Sequence, residues 1–200
     1  MAESENRDKV VFLKPKKRLF YNVYVAFAFL PLVFLPILFE WGFSLYNPAF
    51  FNEFKDLFLI ANILYIVLAR FALLDSALYI FTHTNHPTNA TLMHIVLLYL
   101  EITVLTILYY ATVYNMFDVF SLFHLNSNFT PENLKIVHDH SFITSFYIST
   151  VTFTTLGSGD WIPQTLTAMI AVSSEVILGV IQGGVFVAII IYGHQSKGKI

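Results

Sequence analysis

The chain has no cysteine among its 200 residues. That excludes disulfides and any thiolate metal or redox centre, and it leaves the compartment open. Charge is scarce too: Lys, Arg, Asp and Glu make up 12% of the chain, about half the usual share of roughly 25%. A soluble fold of this size would need those residues for its wet surface, and they are not there. Neither sign dominates. A formal net charge of −2 supplies no basic face for phosphates, so no nucleic-acid partner is expected. The sequence has no glycine loop of phosphate-binding type, no nucleophile set with a base and no metal-ligand spacing, so no enzyme class is suggested. What is abundant is apolar: 56% hydrophobic residues, with 21 Phe and 11 Tyr, and a mean hydropathy of +0.67. This is the composition of an integral membrane protein whose partner is the lipid bilayer, with aromatics for the lipid face and the interface.

Four apolar runs approach or exceed the roughly twenty residues that a bilayer demands: Leu19 to Phe39, Leu57 to Phe81, Thr91 to Met116 and Leu166 to Tyr192. The first lacks a small-residue cleavage site and reads as a retained helix, not a signal peptide. Pro31 and Pro36 predict a kink or break in its outer half. Glu40 and Trp41 mark its exit, and Gly42 to Asp56 a short outer loop. Thr82 to Ala90 is a polar turn, and Asp118 to His140 the one sizeable polar loop in the body of the chain. Six of the eleven basic residues (Arg7, Lys9, Lys14, Lys16, Lys17, Arg18) fall in the first 18 positions, and Lys197 and Lys199 stand at the other end. Only Lys55 and Lys135 fall in the outer loops, so the positive-inside rule places both termini in the cytoplasm. Asn89 and Asn128 each open a glycosylation triplet, but the first faces inward and the second is followed by Pro131.

One stretch organises the rest: Thr152-Phe153-Thr154-Thr155-Leu156-Gly157-Ser158-Gly159-Asp160. A short apolar run from Ser141 leads into it, and the last long span follows. Bare backbone at membrane depth must line something wet. Two glycines two residues apart permit angles that other residues avoid, so successive carbonyls can point the same way. Thr155 to Asp160 resembles the Thr-Val-Gly-Tyr-Gly-Asp filter of the potassium-channel superfamily, in which a ring of such carbonyls replaces the water shell of a cation. Thr152-Phe153-Thr154 is similar to the Thr-x-Thr that closes that family's pore helix, and Asp160 to Thr165 to its exit into the inner helix. The plain alternative, a Gly/Ser turn between two membrane helices, explains fewer of these positions.

The four apolar runs and the charge distribution predict an all-α membrane protein of four transmembrane helices plus one re-entrant pore helix (Ser141 to Thr154, with Ser141 as N-cap) and a filter loop. The resemblance covers the last half of the chain. It implies a homotetramer, since each chain carries one filter. K+, or Na+, would sit at Thr155, Leu156, Gly157 and Ser158, with Gly159 closing the mouth and Thr154 and Asp160 supporting the filter. Two departures weaken the expected selectivity. The family's filter aromatic is Ser158 here, and the pair of pore-helix aromatics that brace it is Tyr147 and Ile148. Val151 also replaces a carboxylate that, in some relatives, pairs with the filter aspartate. Gly179 matches the family's hinge glycine, and Gly183 and Gly184 add a second soft point, although membrane-helix glycines more often serve close packing.

Three polar clusters remain. Glu175 lies about ten residues into the last helix, so about 15 Å deep at 1.5 Å per residue. There it needs a partner or water, and the candidates are the hydroxyls of Ser149 or Thr150, as a filter strut or proton-sensitive gate, or a wet cavity. Arg70 and Glu101 lie within about 5 Å of the same depth, which predicts an intramembrane ion pair with Asp75 as competitor. One arginine is too few for a voltage sensor. His138, Asp139 and His140 precede the pore helix as an external proton or metal sensor or as plain loop residues, and His83, His86 and His94 gather near the inner face.

The expected organisation is a basic cytoplasmic segment (1–18), a two-helix hairpin (19–90), a pore domain (91–193) and a short cytoplasmic tail (194–200), in a multi-pass protein of the plasma membrane. The expected function is a tetrameric cation channel passing K+ with weakened selectivity. The alternatives are a non-selective Na+/K+ channel and a non-conducting membrane protein that keeps the pore fold. No cofactor is expected beyond the permeant K+ and Na+.

Overall fold

The computed structural model describes residues 33–83, 92–126, 135, 137–157 and 159–197. The basic N-terminal segment, Pro31, the turn with His86 and Asn89, the loop with Asn128, Ser158 and the last three residues lie outside this description.

The first described helix, α1 (Val33–Tyr46), runs past the expected exit at Glu40 and Trp41, and Pro36 does not break it. The reason is that Glu40 is buried and takes a hydrogen bond from the amide of Asn62. A carboxylate satisfied inside gives the chain no cause to leave the apolar layer. The expected outer loop is largely helical as well. Asn47 accepts from the Phe50 N–H at 3.3 Å and caps α2 (Pro48–Glu53), with Pro48 in the first-turn position that suits proline.

Next come two long helices, α3 (Lys55–His83) and α4 (Leu92–Met116), then a short helix α5 (Val119–Leu122) and strand β1 (Phe123–Leu125). After helix α6 (Ser141–Phe153) and the filter segment, strand β2 (Trp161–Pro163) leads into the long α7 (Leu166–Lys197). The all-α expectation therefore needs a correction: β1 and β2 pair antiparallel, Phe123 opposite Pro163 and Leu125 opposite Trp161. Gln164 extends the attachment, its side-chain amide donating to the carbonyls of Phe120 and Ser121 at 3.0 and 3.1 Å. Strands of three residues are too short to announce themselves by alternation.

Helix α4 is the centre of the packing. Thr106, Tyr109, Tyr110, Val113, Tyr114 and Phe117 recur at three- and four-residue spacing on one buried face, which lies against α6 and α7. The hydroxyls of Thr103, Thr106 and Thr112 bond back to carbonyls four residues earlier, so they need no outside partner. Among the described residues, one helix, Leu166–Ala188, is long and apolar enough to cross a membrane by length and composition.

Candidate functional site

Helix α6 aims its C-terminus at the filter segment. Its N-cap is His140, one residue earlier than expected, and no side chain caps it. The Ser141 hydroxyl instead donates to the Asn115 side chain at 2.9 Å, tying the start of α6 to the end of α4. At the other end the chain unwinds onto the helix it has just left. The N–H of Thr155 bonds the Thr152 carbonyl at 3.0 Å, and those of Leu156 and Gly157 share the Val151 carbonyl at 3.0 and 3.3 Å.

Alternate residues along this segment are left-handed: Thr155 at φ +58°, Gly157 at +66° and Gly159 at +62°. For a β-branched threonine this conformation is an outlier held by its surroundings, while the two glycines adopt it freely. Alternating handedness turns successive peptide groups the same way, with N–H groups converging on one side and carbonyl oxygens on the other. Here the N–H side is taken up by the end of α6. The carbonyls of Thr155, Leu156 and Gly157 accept no hydrogen bond among the described residues. Thr155, Leu156, Gly157 and Gly159 are exposed, Leu156 to 76%. A cavity of about 280 Å³ is lined by Thr155, Gly157 and Gly159 together with Ile148, Trp161 and Val172.

Asp160 is held from α6 by the Tyr147 hydroxyl, which donates to its Oδ2 at 3.2 Å. Position 147 thus supplies the contact that Val151 has no group to make. Ile148, its neighbour in the expected aromatic pair, turns into the core instead. The Thr154 hydroxyl caps its own helix, donating to the Thr150 carbonyl at 2.7 Å.

Glu175 is completely buried, which removes the reading of a carboxylate facing a wet cavity. The Tyr114 hydroxyl donates to its Oε2 at 2.7 Å, and Ser149 is hydrogen-bonded to its Oε1. Of the two candidate partners only Ser149 is used, since Thr150 bonds back to the Phe146 carbonyl at 2.7 Å. Glu175 therefore joins α4, α6 and α7 behind the filter. One turn further along, α7 passes so close to the end of α6 that a Cβ on Gly179 would sit 2.3 Å from the Phe153 carbonyl oxygen. Gly183 and Gly184 face open space.

The family model for ion channels matches residues 56–192, more than half of the chain. The chain belongs to the ion-channel family. No curated protein and no solved structure matches it. Membership makes the resemblance in the pore domain a family relationship and sets the protein apart from enzymes. The match opens at residue 56, ahead of the outer helix expected from residue 91, so it takes in α3 as well.

Elsewhere in the channel the ion pair expected between Arg70 and Glu101 is not formed. Arg70 Nη2 donates to the Ile102 carbonyl at 2.5 Å, while Arg70 Nε and Glu101 Oε1 are buried without a hydrogen-bond partner. Equal depth was a sound inference but direction was not, because successive residues on a helix point about 100° apart. The side chains of Asp75, His83 and His94 lie outside the described set. His138 is exposed and stacks on Phe120 with ring centroids 4.5 Å apart. Among the described residues no cluster of His, Asp and Glu has the make-up of a metal site.

One buried network escaped the sequence reading. Asn62 donates to Glu40 Oε2 and to the Phe58 carbonyl, and accepts from the Tyr109 hydroxyl at 2.8 Å. All three side chains are buried. Each is a polar group within or beside a long apolar run. That is the signal that could have paired them, since such groups seek one another out.

Proposed function

We propose that the protein is a homotetrameric cation channel of the plasma membrane that passes K+ with weaker discrimination against Na+ than a fully braced filter allows. The ion sites are the backbone and hydroxyl oxygens of Thr155, Leu156, Gly157 and Ser158, with Gly159 and Asp160 at the outer mouth. One observation carries the reading: left-handed backbone at Thr155, Gly157 and Gly159, with the N–H groups of Thr155, Leu156 and Gly157 bound to the end of α6 and their carbonyls without a partner among the described residues. Such carbonyls are dehydrated only at a loss, unless a cation takes the place of water. The C-terminal end of α6 adds the negative end of its dipole.

The weaker discrimination is supported by the space beside the filter. A volume of about 280 Å³ suits an aromatic ring, and the serine at position 158 has none to offer. The four-span arrangement with both termini cytoplasmic rests on helix length and charge. At 1.5 Å per residue, α3 with 29 residues and α4 with 25 reach about 44 and about 38 Å, against a hydrocarbon core of roughly 30 Å.

Bi-ionic reversal potentials of the purified protein in planar bilayers test the function. The native channel is expected to reverse short of the K+ equilibrium potential, and Ser158→Tyr to move it toward that value. Strong K+ selectivity in both would end the weakened-filter reading. Absence of flux under all conditions would favour the non-conducting alternative.

A further inference from the structure

We infer that Glu175 is held as a neutral carboxylic acid that donates its proton to Ser149, and that this proton is what fixes the pore helix behind the filter. The inference rests on reading residues 154–160 as the filter, and it adds a positioning residue to that site. The argument is a count of hydrogens. A serine hydroxyl has one to give and two lone pairs to receive with. Ser149 Oγ lies 2.9 Å from the carbonyl oxygen of Ile107, a group that can only accept. Its hydrogen belongs in that contact. The bond between Ser149 Oγ and Glu175 Oε1 then needs a second hydrogen, and the carboxyl is the group able to supply it. On the other oxygen, Tyr114 donates its hydroxyl hydrogen to Oε2. The acid form thus satisfies a directed chain: Tyr114 to Glu175, Glu175 to Ser149, Ser149 to Ile107.

The ionised form breaks that chain. A carboxylate only accepts, so Ser149 would have to turn its hydrogen to Oε1. The lone pairs of Ser149 Oγ and of the Ile107 carbonyl oxygen would then face each other with no hydrogen between them. Among the described residues no cation bonds to Glu175. Helix α4 offers Tyr114 and Tyr110, the latter bonded to Ser174 at 2.8 Å. Helix α6 offers only hydroxyls toward Glu175, since its Tyr147 is turned to Asp160. Strand β2 has no titratable group, and the Arg70 guanidinium of α3 is directed to the Ile102 carbonyl and makes no bond to Glu175, whose partners are Tyr114 and Ser149. A fully buried carboxyl without a cation is stable when it keeps its proton.

The consequence for the filter follows from position. Ser149 stands two residues before Val151, whose carbonyl carries the N–H groups of both Leu156 and Gly157. Loss of the proton would loosen α6 at the turn that holds the filter strand.

Infrared difference spectroscopy of the full-length protein in lipid, native against Glu175→Gln at neutral pH, tests the proton directly. The native protein should show the carbonyl stretch of a protonated carboxylic acid, lost in Glu175→Gln and shifted in Ser149→Ala, where the acid has lost its acceptor. No band difference between native and Glu175→Gln would overturn the inference. A second readout is ion preference by bi-ionic reversal. Glu175→Gln, whose amide can donate to Ser149 and accept from Tyr114, should keep the native value, whereas Glu175→Ala and Ser149→Ala should lose discrimination. If Glu175→Gln were as impaired as Glu175→Ala, a negative charge would be the working form and the inference would fail. Should the native protein carry no current, the channel reading falls and the infrared band still decides the proton.

Discussion

A single methyl group added at Gly179 would meet the Phe153 carbonyl oxygen at 2.3 Å, well inside contact distance and against backbone that cannot step aside. Gly179→Ala should therefore destabilise the channel by about 1–3 kcal/mol, the range for overpacking, read as a lower thermal midpoint in detergent. Gly183→Ala and Gly184→Ala meet nothing within 4 Å in one chain and gain up to about 1 kcal/mol of helix propensity. A fall in open probability in either of these, without loss of stability, would mark the true bending point. Tyr147 offers a second separation of stability from function. Its bond to Asp160 is exposed, so Tyr147→Phe should remove about 1 kcal/mol at most while moving the reversal potential toward Na+. An unmoved reversal potential would show that Asp160 is held by other means. Glu175 and Ser149 were legible from the sequence because depth along a helix can be counted, and a buried carboxyl demands a partner. The link between Tyr147 and Asp160 was not. The family pattern directed attention to position 151, and which of two neighbouring side chains faces the filter depends on helix rotation, a quantity spacing alone leaves free.

At the scale of elements, the long apolar runs were read with the right order and nearly the right ends for α3, α4, α6 and α7. The misjudged pieces were those whose polar residues carry two meanings. Glu40 and Trp41 look like an interface from the sequence, yet Glu40 is 5% exposed inside the packing of α1, α3 and α4. Asn47-Pro48 was a legible helix start passed over inside a segment expected to be loop. The pairing of β1 with β2 left no local trace, since three residues are too few to show a period. The Glu40, Asn62 and Tyr109 triad makes the docking of the N-terminal helices testable. Asn62→Leu alone strands a carboxylate and leaves the Tyr109 hydroxyl only the backbone carbonyl of residue 62 at 3.3 Å, and should lose about 1–3 kcal/mol. Replacing all three together, Glu40→Leu, Asn62→Leu and Tyr109→Phe, should recover much of that loss, because an apolar cluster leaves nothing unsatisfied. Thermal midpoints of the two variants give the comparison. A triple variant weaker than the single one would mean that the triad holds the helices by more than mutual satisfaction.

For the whole molecule, the decisive surface is the one a lone chain leaves bare. Phe142, Ile143 and Phe146 on α6 and Leu156 in the proposed filter segment are exposed, alongside the carbonyls of residues 155–157, which have no partner among the described residues. On α3 the residues Leu57, Leu64, Leu68 and Phe71 are exposed as well, but they lie within a regular helix, whose backbone groups bond along the helix itself, so lipid alone suffices to cover them. Lipid cannot cover the filter, because hydrocarbon offers nothing to a bare carbonyl. A closed ring of copies, each contributing one strand to a common axis, would instead enclose a wet path in which cations and water take up those carbonyls. Native mass measurement in mild detergent is therefore expected to give four times the chain mass of 22.9 kDa. Phe146→Glu, which plants a charge in the apolar face of α6, should shift the assembly to smaller species and abolish flux while leaving helix content by circular dichroism unchanged. Leu68→Glu serves as the control: its charge would face lipid, a penalty of about 3 kcal/mol, and those chains that do insert should keep the fourfold mass. If Phe146→Glu kept the fourfold mass and Leu68→Glu lost it, the ring would have to be built through α3, and the filter strands of neighbouring chains would no longer meet.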